Sequence, residues 1–133
     1  MDLWRAFRLY EREMFARVAA AGFDDLGAAD SDILVHVGED GIGMAALARA
    51  RGVSKQAVQA PVRALVAKGY LTVGPDPKDA RARIVRHDAR GRALIAALAE
   101  AKASLQGEVE EALGAKGLHE LRRSLATIAE RLA

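Results

Sequence analysis

The chain has 133 residues and a net charge of +2, 51% of its residues are hydrophobic, and it contains no cysteine. A length of this order suits one domain, so we expect a single domain over residues 1–133. The lack of cysteine excludes disulfides, thiolate metal sites and a catalytic cysteine. No apolar run approaches the roughly 20 residues of a membrane span, and the first residues lack the layout of a signal peptide. We therefore expect a cytoplasmic protein without a membrane partner.

The charge is distributed unevenly along the chain. Residues 49–92 carry eleven Lys or Arg and three Asp, a net charge of +8, which leaves −6 for the remainder. A basic middle segment is typical of a unit that binds a polyanion such as DNA. A solvated basic surface without a ligand would give the same count.

The first half of the chain predicts short helices and a turn. Residues 2–20 place apolar and aromatic side chains three and four apart, which predicts an amphipathic helix. Asp30 is predicted to cap a helix over 31–38, and the three glycines in residues 38–43 indicate a turn. A two-turn helix over 44–51 is expected to end at Gly52.

Ser54 is expected to cap a second helix that runs to Lys68, which completes a helix-turn-helix. Its apolar residues fall on one face. The other face carries polar side chains that can contact bases and phosphates, and we predict the DNA-reading set to be Ser54, Lys55, Gln56, Gln59 and Arg63.

Pro61 lies in the interior of this predicted helix, where proline removes a hydrogen bond and costs about 3 kcal/mol. We expect a kink at 57–61 and not a lost helix. Two consequences stay open at this point. The polar face still binds DNA, or the kink alters or abolishes base reading.

Residues 70–73 and 83–87 predict two strands around the turn-rich loop GPDPKDARA at 74–82, hence a β-hairpin with a basic tip. Asp88 can cap a long helix over 89–113, which Gly114 and Gly117 should break. The final helix, over 118–132, carries leucines and one isoleucine at spacings of three and four, an apolar seam suited to helix pairing.

The chain resembles the MarR family of winged helix-turn-helix transcription regulators over nearly its whole length. The segment LARARGVSKQAVQAPVRALVAKGYL is similar to the family's helix-turn-helix, and KGYLTVGPDPKDARARIVRHDARGRAL to its wing. The resemblance implies a mainly α fold with a winged lobe at 30–88 and dimerisation helices at 1–21 and 89–133. It implies a wing that contacts DNA through Lys78, Asp79, Arg81 and Arg83, with Arg81 in the minor groove and Asp79 orienting it.

A homodimer on double-stranded DNA follows from the same resemblance, and the apolar stripes of the terminal helices support it. The predicted interface comprises Leu3, Phe7, Leu118, Leu121, Leu125, Ile128 and Leu132. A monomeric bundle is the alternative. A small aromatic or anionic effector is predicted near Trp4, Phe7, Tyr10 and His36, unless the aromatics are dimer core. The expected function is a repressor on a pseudo-palindromic operator, and activation is equally compatible with these residues.

Other chemistry finds little support in the sequence. No phosphate loop, nucleophile triad or paired-carboxylate arrangement is recognisable, so we expect no enzyme, no cofactor and no metal site. His87 stands where the family has an apolar residue, and it is either a satisfied buried histidine or a responsive group. The competing function is a winged-helix protein-interaction module that lost base reading through Pro61.

Overall fold

The computed structural model describes residues 2–133, and over them the chain forms five helices and three strands. The helices and strands are, in chain order, α1 (Asp2–Ala20), α2 (Ala28–His36), β1 (Ile42–Gly43), α3 (Met44–Ala50), α4 (Lys55–Ala67), β2 (Leu71–Asp76), β3 (Asp79–His87) and α5 (Ala89–Leu132). This confirms the prediction of a mainly α fold with a helix-turn-helix and a β-hairpin wing.

The chain divides into two compact units. One unit is Val18–Ala97 and the other combines residues 2–17 with 98–133. Both boundaries fall inside helices α1 and α5, whereas the sequence placed them in the connections at 21–30 and at 88–89. The difference arises because a helix that passes from one unit to the next shows no break in its periodicity.

The Val18–Ala97 unit has a dense apolar core beneath the helix-turn-helix and the sheet. Its fully buried side chains come from α2, α3, α4, the sheet, the residue before β2 and the start of α5, and they are Ile33, Leu34, Leu47, Val58, Val62, Leu65, Tyr70, Leu71, Val85 and Leu94. Each buried valine or leucine of this kind stabilises the fold by about 1.5–3 kcal/mol. Helix α4 and the wing therefore pack against the same apolar core.

The sheet is antiparallel in the order β1-β3-β2. Strand β1 was not predicted, because a strand of two residues is too short to show alternating apolar and polar side chains. Its Ile42 pairs with Val85 of β3. The hairpin is longer than predicted, since most of the expected loop at 74–82 is paired strand. Pro75 lies in β2, which is an edge strand, where a missing amide is tolerated.

Helix α2 begins earlier than predicted. Gly27 is its N-cap and Asp30 is its third residue, so the prediction of Asp30 as the N-cap was wrong. The Asp30 carboxylate instead accepts a hydrogen bond from the Gly27 backbone N–H at 3.0 Å. Asp30 thus still provides a hydrogen-bond acceptor for an amide at the start of the helix, but it does so from the third helical position, as in a capping box.

The second unit is built on α1 and the long helix α5. Gly114 interrupts α5 with φ 72°, a left-handed conformation that glycine adopts without strain. Gly117 is helical, so the prediction that it also interrupts the helix was wrong. The Arg17 guanidinium on α1 donates to Ser104 at 2.8 Å and to the Glu108 carboxylate at 2.6 Å. These contacts tie α1 to α5 within this unit.

Candidate nucleic-acid interface

The turn between α3 and α4 positions the start of α4. Gly52 has φ 63°, and its N–H donates to the Arg49 carbonyl at 3.0 Å, which closes α3. Ser54 then caps α4 as predicted, because its Oγ accepts from the Ala57 N–H at 3.1 Å. The Ser54 hydroxyl proton stays free to donate, and amides of the first turn lack intrahelical partners. Such a helix start is suited to holding a phosphate.

Helix α4 presents opposite faces to the core and to solvent. Val58, Val62 and Leu65 are at most 1% exposed. Of the predicted reading set, Ser54, Lys55, Gln56 and Arg63 are exposed, whereas Gln59 is half-buried at the flank. The structure therefore brings four of the five predicted side chains to the surface of one helix. Gln59 has less freedom to reach a base than predicted.

Pro61 does not interrupt α4, which is continuous from Lys55 to Ala67. The proline is half-buried beside the apolar stripe. Burial of Val58, Val62 and Leu65 contributes about 1.5–3 kcal/mol each, which outweighs a proline penalty of about 3 kcal/mol. The prediction that the helix survives is confirmed, and the predicted kink stays a prediction.

The wing tip is a tight connection between β2 and β3. The Asp76 carboxylate accepts from the Lys78 N–H at 2.9 Å, and the Asp79 carboxylate accepts from the Arg81 N–H at 3.0 Å. Side chains of aspartate that bond amides two residues on are typical of tight turns. Asp79 therefore holds the backbone of Arg81 in place.

The cations of α4 and the wing are available to a ligand. Lys78, Arg81 and Arg83 are exposed, as are Lys55 and Arg63. Over residues 2–133, none of these five side chains is paired with a carboxylate within 4.0 Å. A set of unpaired cations around a capped helix start has the charge and the shape of a nucleic-acid interface.

Comparison with known proteins agrees with this geometry. Residues 24–82 match the model of the MarR family. Over this segment the chain is similar to the MarR family. The matched segment spans α2, the helix-turn-helix and most of the wing, which includes all of the predicted reading and wing residues up to Arg81. A sequence comparison with curated proteins returned no match.

Solved structures similar to this chain include transcriptional regulators and DNA complexes. RV1404 from Mycobacterium tuberculosis is 24% identical with a TM-score of 0.86, and the match covers 97% of this chain and 88% of that one. The transcriptional repressor CouR, bound to a 23-mer duplex, is 26% identical with a TM-score of 0.67, covering 96% and 89%. FabT from Streptococcus pneumoniae, in complex with DNA, is 13% identical with a TM-score of 0.76, covering 98% and 94%. CouR is a transcriptional repressor, and both CouR and FabT were solved on DNA.

A polar network surrounds the buried side chain of Tyr70 in the Val18–Ala97 unit. The Tyr70 hydroxyl, on a side chain with 0% exposure, donates to the Asp25 carboxylate at 2.5 Å. Arg90 donates to both oxygens of that carboxylate, at 2.8 Å and 3.2 Å, and to the Lys68 carbonyl at 3.0 Å. Its guanidinium also lies 4.4 Å from the centre of the Tyr70 ring. The network joins the loop after α1, the end of α4 and the start of α5.

The ionisation of this network follows from its contacts. Burial and the hydrogen bond to Asp25 raise the pKa of Tyr70 to about 12. The hydrogen bond from Tyr70 and the charge of Arg90 lower the pKa of Asp25 below its ordinary value. No local pattern in the sequence indicates this pairing, because Asp25 and Arg90 are 65 residues apart.

Only one of the two ring nitrogens of His87 has a hydrogen-bond partner among residues 2–133. Its Nε2 lies 2.6 Å from the Val37 carbonyl, which only accepts, so this nitrogen carries a proton. Its Nδ1 is buried and has no hydrogen-bond partner among residues 2–133. His36 lies on α2, where its Nδ1 is 2.7 Å from the Asp32 carbonyl. No cluster of metal-ligating residues occurs in the described part of the chain.

The predicted effector and dimer residues have contrasting exposure. Trp4 and Phe7 on α1 are 66% and 53% exposed, with ring centres 6.1 Å apart, and Tyr10 is half-buried. Most of the predicted dimer stripe is exposed: Leu3, Leu121, Leu125, Ile128 and Leu132. Leu118 differs, since it is 7% exposed within the single chain and has little surface left for a partner. Within residues 2–133, no helix is long and apolar enough to cross a membrane.

Proposed function

We propose that this chain is a MarR-family regulator that binds double-stranded DNA as a homodimer and reads a pseudo-palindromic operator. The observation that carries the proposal is the outward face of α4. The Val18–Ala97 unit contains the capped start of this helix, its exposed polar side chains and the unpaired cations of the wing. The combination fits a recognition helix in a major groove, with half-sites about ten base pairs apart in the dimer.

Each exposed residue of α4 has a chemical role in this proposal. Gln56 and Arg63 are suited to bidentate hydrogen bonds with adenine and guanine, respectively. Ser54 and Lys55, at the helix start, are suited to phosphate oxygens, which fix the register of the protein on the duplex. Gln59, half-buried, is assigned a supporting polar contact.

The wing contributes positive charge on both sides of its tip. Arg81 and Arg83 suit the strong negative potential of a narrow minor groove, and Lys78 suits a phosphate. The Asp79 bond to the Arg81 amide keeps the tip folded, so that the guanidinium of Arg81 is presented from a fixed backbone. The cost of ordering the tip on binding is thereby reduced.

Dimer formation is supported by exposed apolar surface. Leu125 and Ile128 are 41% and 40% exposed, and Leu132 is 82% exposed. A contiguous stripe of this kind on a helix marks an interface. A second copy that presents the same stripe would bury it, and two reading helices would then match the two-fold symmetry of an operator.

Repression by occluding a promoter is the regulatory outcome that we propose. The repressor CouR, bound to DNA, supports it, since that protein is 26% identical over 96% of this chain. Effector control is proposed through the aromatic face of α1. Trp4 and Phe7 are exposed there, which suits an aromatic ligand or, alternatively, the dimer core.

The test is fluorescence anisotropy with a duplex from upstream of the protein's own gene and a scrambled duplex, over a salt series. If Lys55 and Lys78 of two protomers neutralise four phosphates, log K falls with log salt at a slope of about −4. The proposal expects that slope together with a clear preference for the upstream duplex. Equal binding to both duplexes would contradict sequence reading by α4.

The competing function is a protein-interaction module without DNA binding. Its premise is that a kink at Pro61 disables base reading within α4, a helix that runs from Lys55 to Ala67. Absence of binding to either duplex at low salt would favour the module over the regulator.

A further inference from the structure

The outward face of α4 contains a residue that has no hydrogen-bonding group. At about 100° per residue, Gln56, Ala60 and Arg63 fall within an arc of about 60°, on the side opposite to the buried stripe. Ala60 is exposed, like Gln56 and Arg63. It therefore lies between Gln56 and Arg63 along the helix axis, on the surface that meets the duplex if α4 enters a major groove.

We propose that Ala60 is a specificity-determining residue that reads the 5-methyl group of a thymine. This inference rests on the proposed function, because it assigns one base contact within that interface. Thymine alone among the four DNA bases presents a methyl group in the major groove, and alanine is one of the side chains that contact it. The short side chain also lets the helix approach closely enough for Gln56 and Arg63 to reach base edges.

The helix geometry places the three contacts along the groove. Ala60 lies about 6 Å along the axis from Gln56 and about 4.5 Å from Arg63, at 1.5 Å per residue. Successive bases are about 3.4 Å apart, so the three side chains span about four base pairs. The geometry points to half-sites in which an adenine, a thymine and a guanine occur in that order along the groove, with the thymine in the middle.

Neighbouring alanines are less suited to this role. Ala67 is the last residue of α4, whereas base contacts come from the N-terminal part of a recognition helix. Ala64 is exposed but lies one turn further along and about 40° to the side. Ala64 therefore provides a matched control, since its change to glycine removes the same methyl group from the same helix.

The experiment begins with selection of an operator from a random duplex library by the wild-type protein. Each thymine of the selected operator is then replaced in turn by deoxyuridine, which removes only the methyl group. Affinities are measured by fluorescence anisotropy at one salt concentration for the wild type, Ala60→Gly and Ala64→Gly. The burial of one methyl group corresponds to roughly fourfold in affinity.

The expected result is one sensitive thymine in each half-site. Its replacement weakens binding roughly fourfold for the wild type and for Ala64→Gly, and leaves Ala60→Gly unchanged. A selected operator without a sensitive thymine, or equal sensitivity in Ala60→Gly, would overturn the assignment of Ala60. Failure to enrich any sequence would contradict the proposed function instead, so the two failures are distinguishable.

Discussion

Replacement of Tyr70 by phenylalanine isolates one hydrogen bond of the polar network around that side chain. The ring is fully buried and phenylalanine fills the same space, so no cavity is created. The contact of Arg90 with the ring face, at 4.4 Å, is retained. The change therefore removes only the hydroxyl that donates to the Asp25 carboxylate at 2.5 Å.

The magnitude follows from the charge of the acceptor. A hydrogen bond to a charged group contributes about 1.5–3 kcal/mol to stability. The Asp25 side chain is 36% exposed and keeps two bonds from Arg90, so the lower half of that range applies. At pH 7 we expect Tyr70→Phe to lower the free energy of unfolding by about 1.5–2 kcal/mol in urea titrations at fixed protein concentration.

The two shifted pKa values determine how the effect of Tyr70→Phe on the free energy of unfolding changes with pH. The pKa of Tyr70 is raised to about 12 in the folded state, above about 10 for an unfolded chain. Its contribution is thus complete below pH 10 and is lost as the pH rises towards 12. The pKa of Asp25 is lowered, so its contribution is present near neutral pH and is lost as the pH falls through its folded value. The gap between wild type and Tyr70→Phe should be widest between these limits.

Tyr10→Phe is the control, since its hydroxyl makes no hydrogen bond to another described residue. It should unfold like the wild type at pH 7. Equal unfolding free energies of the wild type and Tyr70→Phe at pH 7 would refute the reasoning. A gap that stays constant from pH 7 to pH 12 would refute the part that concerns ionisation.

Three further changes test the wing, a close contact and the dimer. Arg81→Ala should weaken DNA binding by about 1–3 kcal/mol if the tip contacts the groove, measured by anisotropy. Gly91→Ala should destabilise the fold by about 1–3 kcal/mol in urea, because its Cβ would lie 2.2 Å from the Tyr70 carbonyl oxygen. Leu125→Lys should convert the dimer to monomer in sedimentation velocity, since a charge would enter an apolar interface.

Each of these predictions has a control or a contrary outcome. Gly107→Ala is the matched control for Gly91→Ala, because nothing lies within 4 Å of its Cβ and it should gain about 0.5–1 kcal/mol. Equal stability of both variants would contradict the close contact at Gly91. Unchanged affinity in Arg81→Ala would place the wing off the duplex. A dimer that survives Leu125→Lys would show that the interface lies elsewhere.

Local chemistry made much of the winged lobe predictable. Ser54 could be recognised as a cap because the residue type and its position determine the bond that it makes. The inward stripe of α4 was evident from its spacing, and the wing turn from its prolines and aspartates. These features depend on residues close together in the sequence.

Features that depend on contacts between distant segments, or on residues without a polar side chain, could not be predicted from the sequence. Gly27 caps α2 without a side chain to reveal it. Leu118 continues the apolar seam, yet it is buried within its own chain. The Asp25–Arg90 pair joins segments 65 residues apart. Ala60 offers no polar group, so only its place on the outward face of the folded helix indicates a role.

The central claim is that the outward face of α4 reads base sequence. The most direct test is the ratio of affinities for a selected operator and a scrambled duplex, compared between the wild type and a Gln56→Ala, Arg63→Ala double variant. We expect the ratio to fall by tenfold or more, since each bidentate contact provides about 1–3 kcal/mol of discrimination. We also expect that the scrambled duplex still binds through phosphate contacts. An unchanged ratio in the double variant would contradict the claim.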